Sequence, residues 1–285
     1  MRWMKTESFP DNSRWESAMK DRLGLGISDD VPRISPRLLK VFTWYVRRYV
    51  RKHFNAVRVS RAWSFPEITD EPLLAYMNHP SWWDPMIGMV IAGEFLGGHS
   101  HYAPIDEAEL KRYRFFSRLG FFGVRLGSLS GARTLLTTGG QILLQPGAVL
   151  WLTPQGRFID ARERPLRFLP GIGHLAKLMR RGMLLPIAVE YPFWEERHPE
   201  ALVRFGGPVE AADLFGCNAG EATRLLESRL LVTQEALAQE SIRRDPTDFD
   251  IVLSGRAGVG GVYDLWRRMR AWMHGRSFDP HHGRR

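Results

Sequence analysis

The sequence has little cysteine and lacks long apolar runs, and both absences exclude classes of protein. A single cysteine, Cys217, cannot form an intramolecular disulfide, which excludes a disulfide-stabilised scaffold. The polar opening from Met1 to Lys20 lacks the apolar core of a signal peptide, so we expect a cytoplasmic location. The long uncharged stretch 134–156 contains glycine, proline and glutamine where a membrane-spanning helix needs roughly 20 consecutive apolar residues. We therefore expect no transmembrane segment.

Motifs of other functional classes are missing or incomplete. The chain has no Gly-x-Ser-x-Gly, so a serine hydrolase is not supported. His99, His101 and Asp106 do not form a recognised zinc spacing, and we expect no metal. The stretch 171–176 fits the Gly-x-Gly-x-x-Ala pattern of dinucleotide sites, but no clear strand leads into it. We expect an ordinary helix start there and no bound cofactor.

Composition and length predict one large globular core with additions at both ends. The chain has 285 residues, of which 44% are hydrophobic and 25% charged, an ordinary globular composition. We expect an N-terminal segment over residues 1–66, a main domain over 67–250 and a basic C-terminal tail over 251–285.

A basic helix is predicted near the start of the chain. Between Val31 and Pro66 there are nine basic residues and no acidic ones, which equals the net charge of +9 of the whole chain. At 100° per residue, one face of this segment carries apolar residues and the other carries Lys40, Arg47 and Arg51. The apolar face consists of Leu38, Val41, Phe42, Tyr45 and Tyr49.

Two interpretations of this amphipathic helix remain open. It could lie on an anionic membrane, with aromatic rings at the acyl boundary and each nearby cation contributing about 1 kcal/mol. Alternatively, its apolar face packs on the domain and its cations are simply solvated. The residues expected to contact a membrane are Phe42, Tyr45, Arg47, Arg48, Arg51 and Lys52. The basic and aromatic stretch Leu265 to Met273 is either a second surface contact or a frayed end.

Apolar segments that alternate with helical segments predict an α/β fold, layered, with a largely parallel mixed sheet flanked by helices. The expected strands are 72–77, 101–105, 121–126, 148–153, 183–190 and 201–205. The expected helices are 85–93, 106–119, 130–144, 171–181 and 220–244. Ligands of such a fold gather where strands end and helices begin.

His79 and Asp84 are the candidate catalytic pair. A neutral imidazole takes a proton from an alcohol near physiological pH, and a carboxylate on its other nitrogen fixes the tautomer. On one helix, this spacing would set the two about 140° apart, so His79 must lie on a turn before the helix. Pro85 suits the first helical position, which makes Asp84 the expected N-cap. The alternative is that both residues are structural, with His79 packed in a turn and Asp84 an ordinary helix cap.

The stretch from Asn78 to Asp84 resembles the first motif of the glycerolipid acyltransferases, the family of lysophosphatidic acid and glycerol-3-phosphate acyltransferases. Three further segments follow in the order of that family's blocks. They are Phe121 to Arg125, Leu152 to Arg157, and Leu184 to Ile187. The resemblance implies an O-acyltransferase of phospholipid biosynthesis, and with the basic helix we expect it to be peripheral on the inner face of the cell membrane. It implies acyl-CoA or acyl carrier protein as co-substrate, a lysophospholipid acceptor, and no nucleic acid.

The resemblance also implies roles for residues. His79 would deprotonate the acceptor hydroxyl and Asp84 would orient the imidazole. Arg125 and Arg157 would hold a phosphate on the acceptor, because a guanidinium matches phosphate oxygens. We expect the turn formed by Pro154, Gln155 and Gly156 to approach the substrate and to supply backbone N–H groups for the oxyanion.

The third block departs from the family pattern, which is Phe-Pro-Glu-Gly-Thr-Arg. Gln155 replaces the usual Glu, Thr153 replaces the Phe, and Arg157 stands one residue early. A lipid or glycolipid acceptor without phosphate is therefore an alternative. A second alternative is a non-catalytic protein that binds anionic lipid or nucleic acid through its surplus charge.

Overall fold

A computed structural model describes residues 31–62 and 70–255. The strands are β1 (Ala56–Ser60), β2 (Leu73–Met77), β3 (Ser100–Asp106), β4 (Phe121–Val124), β5 (Ala148–Leu152), β6 (Met183–Glu190), β7 (Glu200–Phe205), β8 (Val209–Glu210) and β9 (Phe249–Ser254). The α-helices are α1 (Pro36–His53), α2 (Asp84–Phe95), α3 (Glu107–Arg112), α4 (Leu129–Ile142), α5 (Gly171–Leu178) and α6 (Ala219–Arg243). Short 3-10 helices occupy Arg114–Leu119, Ala211–Leu214 and Pro246–Asp248.

The described strands form one mixed sheet in the order β4-β3-β5-β2-β6-β7-β1-β9, with β8 paired to β6. From β4 to β6 all neighbours are parallel, whereas β7 is antiparallel to β6 and β9 is antiparallel to β1. The α/β class with a largely parallel mixed sheet is therefore confirmed. Because parallel strands end at one edge, the loops after β2, β4 and β5 share that edge.

Helices cover both faces of the sheet, and the side chains of β2 show why. Successive strand residues point to opposite faces. Leu74 and Tyr76 pack with α4, α5 and α6, whereas Leu73, Ala75 and Met77 pack with α1 and α2. Leu73 and Leu74 are fully buried, and truncating such a leucine to alanine costs about 2–5 kcal/mol. Strand β2 is therefore packed against a hydrophobic cluster on each face of the sheet, which fixes the position of the residues that follow it.

Most predicted elements lie within a few residues of the observed ones, but the helix expected over 106–119 is interrupted. Asp106 caps α3 by accepting a hydrogen bond from the Ala108 backbone N–H. Tyr113 then leaves helical geometry, and the chain continues as a 3-10 helix. In that segment Phe115 and Phe116 contact Phe42 of α1, with ring centroids 5.9 and 6.1 Å apart. The break therefore accompanies packing against the N-terminal helix.

The sheet extends past both predicted boundaries of the main domain. Strand β1 lies in the segment 1–66, and β9 continues to Ser254. Arg58 in the middle of β1 is buried because its Nε donates to Glu200 Oε2 at 2.9 Å. The predicted contact within the tail, Leu265 to Met273, lies outside the described residues.

Helix α1 forms as predicted, but only part of its predicted apolar face is buried: Phe42 packs on the core and Tyr49 lies against Trp83. Val46 and Val50 are fully buried against the core, whereas Val41 and Tyr45 are 63% and 47% exposed. Trp44 is 64% exposed beside them. The helix thus packs on the domain by one stripe and leaves a second aromatic stripe exposed. Within residues 31–62 and 70–255, no helix has both the length and the hydropathy needed to cross a membrane.

Candidate active site

His79 lies just beyond the end of β2, at the edge where the parallel strands end. Asn78, the residue before it, extends the pairing of β2 with β6 through its side chain. Asn78 Nδ2 donates to Val189 O at 3.0 Å, and its Oδ1 accepts from Val189 N at 2.8 Å. Since Asn78 is 1% exposed, these bonds fix the direction in which the chain leaves the sheet.

The turn after His79 brings Asp84 back to the imidazole. His79 Nδ1 lies 2.6 Å from Asp84 Oδ2. The Asp84 side chain is 1% exposed and that of His79 is 18% exposed. With Asp84 ionised, Nδ1 carries the proton and donates it to the carboxylate, so Nε2 keeps a free lone pair. This is the arrangement that a general base requires.

Asp84 does not cap helix α2, which corrects the prediction from sequence. The helix begins at Asp84 itself, Trp83 occupies the N-cap position, and no side chain caps the helix. The carboxylate points back into the turn, where Oδ2 accepts from the Ser81 backbone N–H at 3.0 Å. The acid is therefore held by the turn and the imidazole.

Tyr191, directly after β6, is a further partner of Asp84 that the sequence motifs do not indicate. Its hydroxyl donates to Asp84 Oδ1 at 2.6 Å. Burial, and then the negative charge of Asp84, raise the pKa of the Tyr191 phenol well above its ordinary value. The phenol is thus protonated at neutral pH and serves as a donor.

The loop after β5, which contains the third block, passes beside His79. The Ile159 backbone N–H donates to the His79 carbonyl at 2.9 Å. The Phe158 ring lies over the imidazole, with centroids 4.3 Å apart, and is 56% exposed. Phe158 therefore covers one face of the imidazole from the solvent side, a role that no motif indicates.

The predicted substrate-binding turn has structural contacts of its own. Gln155 is buried, and its Nε2 donates to Leu166 O at 3.0 Å. Pro154 O accepts from Leu169 N at 2.8 Å, and Gly156 N donates to Thr153 O at 2.9 Å. Gly156 has a φ of +68°, a conformation that favours glycine. The Gly156 N–H is thus already bonded within the turn.

The two predicted phosphate-binding arginines are both exposed, and each has a carboxylate partner. Arg157 directly precedes Phe158 in the loop, and its Nη2 lies 3.3 Å from Glu163 Oε1. Arg125 Nε lies 3.1 Å from Glu107 Oε2. Arg125 follows β4, which is three strand spacings from β2, so it lies roughly 14 Å along the sheet edge from His79. Only Arg157 belongs to the loop that contacts the imidazole.

His101, near the start of β3, makes structural contacts. His101 Nδ1 accepts from Trp151 Nε1 at 3.2 Å, and its Nε2 donates to Leu96 O at 3.2 Å. Burial lowers the pKa of His101 from 6.5 to about 4, so the ring is neutral. Within the described part of the chain, no three His, Cys, Asp or Glu residues are grouped as metal ligands.

The six predicted membrane-contact residues all lie on α1, but not on one face. Phe42 packs on the core and Tyr45 is half exposed. Four cations and Trp44 line an open groove of about 420 Å³, whose lining also includes Ser254 and Gly255. The cations are Arg47, Arg48, Arg51 and Lys52. Arg47 also lies 3.9 Å from Glu94 of α2. The groove is thus strongly basic and open to solvent.

The structure is similar to the crystal structure of the 1-acyl-sn-glycerophosphate (LPA) acyltransferase PlsC from Thermotoga maritima, with a TM-score of 0.51. The similarity covers 81% of this chain and 90% of that chain at 14% sequence identity. No family model and no curated protein matches this chain. The resemblance to the glycerolipid acyltransferases is therefore confirmed at the level of the fold.

Proposed function

We propose that this chain is an O-acyltransferase that moves a fatty acyl group from an acyl thioester to the hydroxyl of a lysophospholipid, in phospholipid biosynthesis. The observation that carries the proposal is the 2.6 Å contact between His79 Nδ1 and a buried Asp84 carboxylate. The similarity to PlsC supports the same class of reaction, since that protein is an LPA acyltransferase.

The reaction follows from the free lone pair on His79 Nε2. The imidazole removes the proton of the acceptor hydroxyl as its oxygen attacks the thioester carbonyl. The tetrahedral intermediate collapses, the carbon–sulfur bond breaks, and the imidazolium returns the proton to the thiolate. Asp84 stabilises the imidazolium throughout. Acyl-CoA or acyl carrier protein is the proposed donor, and the released product is its free thiol.

Arg157 is the better placed of the two arginines to bind an acceptor phosphate. It stands next to Phe158, whose ring contacts His79. Its ion pair with Glu163 is exposed, and exposed pairs contribute only about 0–1 kcal/mol, so a phosphate can replace the carboxylate. The carboxylate partners of Arg157 and Arg125 equally favour the second candidate acceptor, a lipid or glycolipid without phosphate.

We further propose that α1 holds the enzyme peripherally on the inner face of the cell membrane. Val41, Trp44 and Tyr45 are exposed, and the cations of the basic groove line it together with Trp44. Exposed aromatics beside cations suit the interface of an anionic membrane. The same surface charge supports the remaining candidate, a non-catalytic protein that binds anionic lipid or nucleic acid.

Release of free thiol tests the proposal directly. The purified protein is incubated with an acyl thioester and either lysophosphatidic acid, other lysolipids or glycolipids, and thiol is measured with product lipid. We expect acceptor-dependent thiol release and a loss of about a hundredfold or more in His79→Ala, the typical contribution of general-base catalysis. His174→Ala, an exposed histidine of α5, is the control and should keep the wild-type rate. An unchanged rate in His79→Ala would exclude this mechanism.

A further inference from the structure

Asp84 carries its charge in a nearly closed environment. It is 1% exposed, and its only ion-pair partner among the described residues is His79. A buried carboxylate must be satisfied by hydrogen-bond donors, since the cost of leaving it unpaired is large. Three donors do so: His79 Nδ1 and the Ser81 N–H on Oδ2, and the Tyr191 hydroxyl on Oδ1.

The three donors are not equivalent, because two of them belong to the same short turn as Asp84 itself. Ser81 and His79 lie three and five positions before Asp84, and both bind the same oxygen, Oδ2. Tyr191 lies 107 positions away and, within residues 31–62 and 70–255, is the one donor to Oδ1. Without the phenol, only the two bonds within the turn would hold the carboxylate, and its rotation about the Cβ–Cγ bond would be less restricted.

The Tyr191 ring is itself held in place. It follows β6 directly, and the Asn78 side chain ties that end of β6 to the residue before His79. The ring also packs against Phe54, with centroids 5.7 Å apart. The phenol is therefore fixed relative to the sheet, and its hydrogen bond to Oδ1 restrains the Asp84 carboxylate.

We propose that Tyr191 is a positioning residue of the acyltransferase reaction, which locks the Asp84 carboxylate so that its second oxygen orients His79. The proposal rests on the function proposed above. It extends the pair of His79 and Asp84 to a chain of three side chains, phenol to carboxylate to imidazole, with Nε2 at the reacting end. Tyr191 does not touch the substrate and acts only through Asp84.

Tyr191→Phe tests the proposal, since it removes one oxygen and keeps the ring that packs on Phe54. We expect kcat to fall about tenfold, the equivalent of one hydrogen bond in the transition state, with KM changed less than twofold. The matched control is Tyr76→Phe. Tyr76 is a buried tyrosine of β2 whose hydroxyl has no hydrogen-bond partner in the described structure, and its removal should leave kcat unchanged.

A spectroscopic measurement separates positioning from general structural damage. The proton in the short bond between His79 Nδ1 and Asp84 Oδ2 should give a downfield NMR resonance in the wild type. That resonance should be shifted or broadened in Tyr191→Phe and unchanged in Tyr76→Phe. Wild-type kcat together with an unchanged resonance in Tyr191→Phe would overturn the proposal. A fall in kcat with an unchanged resonance would also overturn it, because the phenol would then not act through Asp84.

The kinetic and the NMR measurements together also distinguish a failure of this proposal from a failure of the proposed function. If the wild type transfers no acyl group to any acceptor while the resonance still responds to Tyr191→Phe, the proposed function fails and the coupling of the three side chains stands. If acyl transfer is observed and the resonance is the same in the wild type and in Tyr191→Phe, only the positioning proposal fails.

Discussion

The side-chain amide of Gln155 donates to the backbone oxygen of Leu166 at 3.0 Å, across eleven positions of the loop that passes His79. The bond is buried and closes the loop that carries Phe158 and Arg157. In the family pattern this position is a glutamate, which cannot donate to a carbonyl when ionised. The glutamine is therefore explained by the loop's own structure.

Gln155→Glu should destabilise the protein and leave the ranking of lipid acceptors unchanged. The variant places a carboxylate against the Leu166 oxygen and leaves that oxygen without its donor, at a cost of about 1–3 kcal/mol. Urea unfolding measures the stability, and thiol release across the lysolipid panel measures the ranking. Gln239→Glu makes the same change on the exposed surface of α6 and should be nearly neutral. A stable Gln155→Glu variant with a new preferred acceptor would contradict this explanation.

The stability of the fold should fall in mild acid because of His101. Burial lowers the pKa of His101 to about 4, from 6.5. Between these two values the unfolded chain binds a proton that the folded protein does not, so stability falls as the pH falls through this window. Above pH 6.5 protonation of His101 costs the fold almost nothing. By pH 4 it lowers the free energy of unfolding by about 3 kcal/mol.

Urea unfolding of wild type and His101→Gln, repeated from pH 7.5 to pH 4, measures this effect. The dependence of stability on pH should be shallower in the variant over the lower part of that range. His174→Gln, which replaces an exposed histidine, should follow the wild type. Parallel curves for wild type and His101→Gln would remove His101 as the cause.

The basic groove of α1 should bind anionic vesicles. Replacing its four cations with glutamine should weaken co-sedimentation with vesicles that contain phosphatidylserine by at least about tenfold, since each cation near the surface contributes about 1 kcal/mol. Added salt should weaken binding of the wild type more than that of the variant, because salt screens exposed charge.

The control for the vesicle experiment removes the same net charge elsewhere. It replaces four exposed arginines outside α1 with glutamine: Arg181, Arg224, Arg229 and Arg244. This control should sediment with vesicles almost as well as the wild type. Equal loss in both variants would show that net charge alone drives binding, with no defined contact surface on α1.

The sequence could predict the features that depend on neighbouring residues. Strand β6 has the predicted bounds, because an apolar run between breakers is a local signal. The spacing of His79 and Asp84 with their prolines predicts a turn before a helix, and the two side chains do meet there. The predicted start of α2 is one residue too late, since the position of a cap depends on local backbone geometry.

Strands and side-chain roles that depend on residues far away in the chain could not be predicted from the sequence, because only the tertiary structure brings those residues together. Strand β1 was missed because it contains Arg58, whose burial depends on Glu200, 142 positions away. No local pattern marks Tyr191 either, because its role depends on β6 lying beside β2. The sequence by itself determined the alternation of elements and the acid–base pair. Only the folded sheet decided which side chains surround that pair, because strand order brings distant residues together.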